Sequence, residues 1–157
     1  ARVGKVPTKN IIEVCKAYQA REDARPDVKS TLENGLRGVY FNAGMYPEFL
    51  KTFADGPLSH VEKLAEDCRR PIPRNDQNPD FVEVMQKARQ RTLVGGGKRI
   101  YQALLATDQP AIAARVARVV LETAPSEDAL AELRSAAVKA DEADLGNALE
   151  LPEKTER

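Results

Sequence analysis

The fold is decided by the stretch IYQALLATDQPAIAARVARVVLETAPSEDALAELRSAAVKA, residues 100–140. Apolar side chains recur in it every three or four residues, which is the period of one face of an α-helix. They form three stripes: Ile100, Leu104 and Leu105; Ile112, Val116, Val119 and Val120; and Leu130, Leu133 and Ala137. Asp108 with Pro110, and Pro125 with Ser126, separate the stripes and are typical of helix starts. Because both connections are short, we expect three consecutive antiparallel helices.

The same spacing predicts helices in the preceding part of the chain. A first helix follows Thr8 and ends near Arg21, a second begins at Asp27, and a short third begins at Pro47. The fourth is predicted from a capping box that Ser59 opens, in which a Ser side chain and a Glu three residues later satisfy each other's backbone N–H groups. The low aromatic content of 5%, with no Trp, disfavours an all-β fold.

A further helix is predicted to begin at the Asn78-Pro79 pair and to stop at Gly95-Gly96-Gly97. Three successive glycines carry a large entropic cost inside a helix, so we expect a sharp turn there. The sequence as a whole predicts an all-α fold, a compact multi-helix bundle of about six to seven helices with antiparallel helical hairpins.

Charge divides the chain into three parts. Residues 1–9 are predicted to form an extended basic arm, residues 10–140 the helical domain, and residues 141–157 an acidic tail. The proline-rich connector at residues 71–79 is the place where the helical domain would subdivide. The charged residues that we expect to contact a partner are Arg2, Lys5 and Lys9 in the arm, and Asp141, Glu142, Asp144 and Glu150 in the tail.

Composition excludes several classes of protein. The chain of 157 residues has 24 Lys or Arg and 24 Asp or Glu, so the whole molecule offers no long-range field to attract nucleic acid or acidic lipid. Cys15 and Cys68 are too few for a disulfide framework. No apolar run is long enough to span a bilayer, and no signal-like apolar region follows the basic start. We therefore expect no membrane partner and a cytoplasmic location, or a particle assembled in the cytoplasm.

Groups for catalysis or metal binding are sparse. His60 is the only histidine, and it falls in the first turn of a predicted helix, where a surface or capping role is the ordinary explanation. A zinc site needs three or four convergent ligands, which one His and two separated Cys cannot supply. We expect no catalytic residue, no metal and no cofactor, and a protein that is not an enzyme. A carboxylate pair assembled in space for acid–base chemistry stays open, because sequence does not show one.

The sequence Gly95-Gly96-Gly97-Lys98 was compared with the phosphate-binding loop of nucleotide hydrolases. That motif requires a glycine where this chain has Thr92, and a Ser or Thr where it has Arg99. It also follows a strand, whereas the preceding residues have a helical pattern. Nucleotide hydrolysis is therefore disfavoured, and a simple anion site at the start of a helix stays open.

One local basic patch lies around these glycines. From Arg69 to Arg99 there are eight Lys or Arg and three Asp or Glu. A helix, a glycine turn and a second helix would place such charges against phosphates. The ordinary interpretation is a solvated corner between helices, which we favour. The candidate residues for binding nucleic acid or an anion are Arg89, Arg91, Gly96, Gly97, Lys98 and Arg99.

Two hypotheses of function follow from these observations. The preferred one is a non-catalytic structural or assembly subunit that acts through protein–protein contacts, by self-association or in a larger complex, of which a virion or phage-particle component is one example. The oppositely charged arm and tail motivate it. The alternative is a nucleic-acid-binding protein that uses the basic patch around residues 87–99, whose affinity would fall steeply with salt.

Overall fold

The computed structural model describes residues 8–23 and 25–152. Within those ranges the chain forms eight α-helices and no strand, which confirms the all-α fold. Their bounds are α1 (Thr8–Gln19), α2 (Pro26–Asn42), α3 (Tyr46–Lys51), α4 (Pro57–Arg69), α5 (Phe81–Ala106), α6 (Pro110–Thr123), α7 (Glu127–Lys139) and α8 (Ala143–Asn147). No helix in the described ranges combines the length and the apolar content that crossing a bilayer requires.

The chain forms two compact units, one ending at Thr52 and the other beginning at Phe53. The proline-rich connector at residues 71–79, where the sequence suggested a subdivision, lies inside the second unit. It joins α4 to α5 without helical structure. The three helices α1 to α3 therefore belong to the first unit, and the five helices α4 to α8 belong to the second.

The first unit is built on contacts of α2 with α1 and α3. Leu36, Tyr40 and Phe49 are buried in it. The ring of Phe41 lies edge-on to Tyr46 and tilted against Phe49, with ring centroids 5.7 and 5.2 Å apart. Tyr40 and Phe49 thus belong to the core of this unit, and Phe41 and Tyr46 are half-buried beside it. Such ring pairs add stability beyond the area they bury.

Helix α5 is the centre of the second unit, where it contacts α4, α6 and α7. Eight of the ten residues in the apolar stripes predicted for residues 100–140 are buried here, and Ile112 and Val119 are half-buried. The side chains that are completely or almost completely buried are Val61, Leu93, Ile100, Tyr101, Leu104, Val116, Val120 and Leu133. Small residues also contribute, since Ala113 and Ala117 of α6 have no exposed surface.

The predicted turn at Gly95-Gly96-Gly97 is wrong, because α5 runs through all three glycines without a break. A Cβ atom on Gly97 would overlap Cγ2 of Val120 in α6, and one on Gly96 would lie 3.2 Å from Cδ1 of Leu64 in α4. Two of the glycines therefore allow neighbouring helices to approach the α5 backbone closely. That packing offsets the roughly 1 kcal/mol by which each glycine weakens a helix relative to alanine.

The structure confirms one predicted helix start, at Ser126, and contradicts another, at Ser59. Ser126 is the N-cap of α7, and its side chain accepts a hydrogen bond of 3.0 Å from the Ala129 N–H, as the sequence indicated. The capping box at Ser59 is wrong. Helix α4 begins two residues earlier at Pro57, with Gly56 as its N-cap at a φ of 93°. Proline suits the first helical position, and it fixes the start before Ser59 is reached.

The predicted acidic tail is also corrected, since its first part folds back against α7 and contains α8. Gly146 lies so close to Ala137 that a Cβ atom would clash, and the Arg134 side chain donates a hydrogen bond of 2.8 Å to the Leu149 carbonyl. A glycine that permits close contact and an arginine that holds a carbonyl explain why this polar segment is ordered. Helix α8 was not predicted from the sequence.

Candidate functional site

A cleft of about 470 Å³ lies between α5 and the beginning of α7. It spans three turns of α5, because its lining residues there extend from Lys87 to Lys98. The opposite side is formed by the connection between α6 and α7 and by the first turns of α7. The lining residues are Lys87, Gln90, Arg91, Val94, Gly95, Lys98, Ala124, Pro125, Ser126, Asp128, Ala129 and Glu132.

The α5 wall of this cleft carries three cations and no acid. Lys87, Arg91 and Lys98 are spaced by four and seven residues, which places them on one face of the helix. Val94 and Gly95 lie on the same face and supply an apolar surface between the charges. The sequence pattern that predicted a basic patch thus corresponds here to one charged stripe along a continuous helix.

The α7 wall carries the opposite charge. Asp128 and Glu132 line it, and Asp128 lies in the first turn, where the helix dipole favours a carboxylate. Lys98 reaches across the cleft to Glu132, with 3.4 Å between Nζ and Oε1. Because the two side chains are 38% and 46% exposed, water screens this pair and it contributes little stability. The cleft is therefore of mixed charge, with cations on one side and carboxylates on the other.

Arg91 is the cation of this wall with no ion-pair partner among residues 8–23 and 25–152. Lys87 pairs with Glu83 one turn earlier in α5 at 2.9 Å, and Lys98 pairs with Glu132. Arg91 lies between them along the cleft and is exposed. Its guanidinium can present up to five N–H donors to an arriving group.

No protein-family model, curated protein or solved structure matches this chain.

Arg89 faces away from the cleft and holds the end of α4. One guanidinium nitrogen donates to the carbonyls of Asp67 and Arg70, at 2.8 and 2.7 Å, and the side chain of Gln86 donates to the Cys68 carbonyl at 3.1 Å. The last carbonyls of a helix have no partner within it, so these donors from α5 satisfy them. Arg89 therefore has a structural role at the end of α4, which the sequence did not indicate.

The other residues of the predicted patch are divided among different environments. Gly96 and Gly97 lie inside α5, where their N–H groups belong to a helix interior rather than a helix start, so the structural basis for an anion site at these glycines is wrong. Arg99 is exposed on α5 but does not line the cleft, whereas Arg91 and Lys98 do. The structure thus places two of the four candidate cations together.

The candidate partner-contact residues are also distributed. Arg2 and Lys5 lie outside the described residues. Lys9 is exposed within α1, so Thr8 and Lys9, the last two residues of the predicted arm, belong to a helix. Asp141, Asp144 and Glu150 are exposed, and Glu142 is half-buried. The backbone N–H of Glu142 donates to the Ala137 carbonyl at 2.8 Å, so the start of the tail belongs to the fold.

His60 and Cys68, which the sequence offered for catalysis or metal binding, pack against neighbouring residues. The ring of His60 lies 4.6 Å from that of Phe53, measured between centroids. Cys68 is buried beneath α5, and desolvation raises the pKa of its thiol, which keeps it protonated and unreactive near neutral pH. In the described part of the chain, no group of three or more His, Cys, Asp or Glu is arranged to hold a metal ion.

A second, smaller cleft of about 330 Å³ lies in the first unit, between α1, α2 and α3. Its charged lining residues are Lys16, Glu33, Glu48 and Lys51. Lys16 places its ammonium group 6.0 Å from the centre of the Tyr40 ring, at the limit of a cation–π contact. Its cations and acids are interspersed, so this cleft lacks the separated charges of the α5–α7 cleft.

The sequence did not indicate the α7 half of the larger cleft. Lys98 and Glu132 are 34 residues apart, and nothing in their local sequence indicates that they face each other. The one available signal was the charge of Glu127 and Asp128 after a Ser-type N-cap, which indicated an acidic helix start. It could not indicate which helix lies opposite.

Proposed function

We propose that this chain is a non-catalytic structural or assembly subunit that acts through protein–protein contacts in a larger complex. The observation that carries the proposal is the α5–α7 cleft, whose lining combines cations, carboxylates and apolar residues in one surface. Protein interfaces commonly combine an apolar centre with charged groups at the rim. A component of a virion or another particle assembled in the cytoplasm is one example of such a subunit.

The charges of the cleft favour a protein partner over nucleic acid. A polyanion that followed Lys87, Arg91 and Lys98 would bring its phosphates close to Asp128 and Glu132, and like charges repel. Arg89 is already engaged with α4. A polypeptide can present both signs of charge and apolar groups to the two walls. Nucleic-acid binding remains the alternative, favoured by the three cations of the α5 wall.

Native mass in solution tests the proposed function. Light scattering on the full chain, at low and moderate salt and with or without nuclease, should give a defined oligomer that nuclease does not change. A particle whose mass falls on nuclease treatment would favour the nucleic-acid alternative. A monomer under all conditions would contradict self-association, and the chain would then assemble only with a different protein.

The contribution of the tail to assembly is tested by substitutions that keep its backbone. Removing the whole segment from Asp141 would expose the surface of α7 that it covers. The effect of such a deletion on assembly could therefore not be separated from its effect on folding. Asp144→Asn and Glu150→Gln change only exposed side chains. A loss of oligomer with an unchanged far-UV circular dichroism spectrum would support a role for the tail, and an unchanged oligomer would exclude it.

A further inference from the structure

We infer that the α5–α7 cleft binds an extended segment of a partner protein, in which one carboxylate lies between apolar side chains and contacts Arg91. This inference rests on the proposed function and deepens it, because it names the surface and the chemistry of its occupant. Four features of the cleft support it: the Arg91 guanidinium, which has no ion-pair partner in the described part of the chain, the open space at Gly95, the length of the groove and the acidic wall.

Charge complementarity identifies the group that meets Arg91. Its neighbours on the α5 wall, Lys87 and Lys98, each have a carboxylate partner in this chain, and Arg91 has none among the described residues. A guanidinium forms its strongest contacts with carboxylates, through two parallel N–H donors. One carboxylate from the partner would therefore give each of the three cations on the α5 wall an acidic partner.

Gly95 indicates that the occupant approaches the helix backbone closely. The other two glycines of the run are explained by α4 and α6, but a Cβ atom on Gly95 would meet nothing within 4 Å. It lines the cleft one turn after Arg91. Gly35 and Gly38 in α2 also have open space, yet neither lines a cleft described above. Glycine lets another backbone come near, and an incoming segment would use that space.

The dimensions suit a short extended peptide. The helical rise of 1.5 Å per residue gives about 16 Å between Lys87 and Lys98. An extended chain covers that distance with about five residues, at roughly 3.3 Å each. Half-buried Val94 and exposed Pro125 supply apolar surface for side chains on either side of the carboxylate, while Ala124 and Ala129 line the cleft as buried residues. A segment of alternating apolar and acidic residues matches this arrangement.

The acidic wall limits how much negative charge the occupant carries. Asp128 and Glu132 line the side opposite Arg91, so a segment with several adjacent carboxylates, or a nucleic acid, would meet repulsion there. An isolated carboxylate is compatible with both walls. Selection against the wrong partner by like charge is a common source of specificity.

The test uses a defined peptide and the full chain. The probe is acetyl-Ala-Leu-Glu-Leu-Pro-amide, a sequence that also occurs at residues 148–152, and its matched control has Gln in place of Glu. Peptide is titrated into ¹⁵N-labelled protein and amide shifts are followed by NMR. We expect saturable shifts centred on Gly95 and Ala129 with a dissociation constant on the order of 1 mM, and weaker binding of the Gln control.

Two variants separate binding from folding. Arg91→Gln should weaken binding of the Glu peptide about tenfold, the loss of one charge-assisted contact, and should have little effect on the Gln peptide. Arg118→Gln removes an exposed cation from α6, outside the cleft, and should leave both affinities unchanged. Both variants should keep the wild-type amide spectrum elsewhere.

Three results would overturn the inference. They are the absence of saturable shifts at millimolar Glu peptide, equal affinity for the Glu and Gln peptides, or displacement of the peptide by a single-stranded DNA oligonucleotide that binds more tightly. None of these results decides whether the chain assembles, because light scattering measures that independently. A defined oligomer without peptide binding would leave the proposed function in place and remove only the cleft from it.

Discussion

Gly97 and Val120 are in such close contact that the α5 backbone and the Val120 side chain leave no room for a methyl group between them. Val120 is completely buried, so it has little freedom to move aside. Overpacking of a core costs about 1–3 kcal/mol, which exceeds the roughly 1 kcal/mol that alanine gains over glycine in a helix. The difference between these values is at most about 2 kcal/mol, so we expect Gly97→Ala to lower the free energy of unfolding by about 1–2 kcal/mol, measured by urea denaturation.

The control for this contact is a double-mutant cycle with Val120→Ala, which removes Cγ2, the methyl group that the new Cβ atom would overlap. In that background Gly97→Ala should be neutral or stabilising. An equal loss of stability in both backgrounds would show that Gly97 is required for a reason other than its contact with Val120.

Gly95 is expected to respond in the opposite direction. No atom lies within 4 Å of the position where its Cβ would stand, so Gly95→Ala should raise the free energy of unfolding by about 1 kcal/mol through helix propensity alone. Gly35→Ala in α2 is the matched control, since that position is equally open. A loss of stability at residue 95 in urea denaturation would contradict the geometry of the cleft.

The glycine run shows where local sequence reasoning stops. The apolar period of residues 100–140 predicted α6, α7 and the end of α5 because those helices bury one stripe each, and Ser126 fixed a helix start through its own side chain. The three glycines predicted a turn because the entropic cost of glycine in a helix follows from the residue type alone. The packing that offsets this cost involves Val120, which lies 23 residues after Gly97 in the chain. A pattern in the local sequence cannot indicate that contact.

The candidate site illustrates the same limit. Composition and spacing identified the cations of α5, and Arg91 and Lys98 do line a cleft. The role of Arg89 depends on where α4 ends, and the pairing of Lys98 depends on which face of α7 is opposite. Both are properties of tertiary packing. The sequence therefore identified the charged residues but could not identify their partners.

Arg89 is expected to matter for stability more than the other cations of α5. Arg89→Met keeps most of the apolar stem but removes the donors to the Asp67 and Arg70 carbonyls, so the free energy of unfolding should fall by about 2 kcal/mol. Arg91→Met is the matched control in the same helix and should change it by less than about 0.5 kcal/mol. Thermal and urea denaturation measure both. Equal effects would mean that the end of α4 does not depend on Arg89.

Asp141 occupies a backbone conformation that favours glycine. Its φ is 58°, and it follows α7 in a turn where the N–H groups of Asp141 and Glu142 donate to the carbonyls of Val138 and Ala137. This is the hydrogen-bond pattern of a Schellman motif, whose left-handed position costs a residue with a Cβ about 1 kcal/mol. Asp141→Gly should therefore raise the free energy of unfolding by about 0.5–1 kcal/mol.

The matched control is Asp144→Gly, three residues later in the first turn of α8. There the backbone is helical and the carboxylate lies near a helix start, so the same substitution should be destabilising by about 0.5–1 kcal/mol. Opposite signs for the two variants in urea denaturation would support the fold of residues 141–147 against α7. If both substitutions left stability unchanged, this segment would be unfolded in solution, and the close contact of Gly146 with Ala137 would not form.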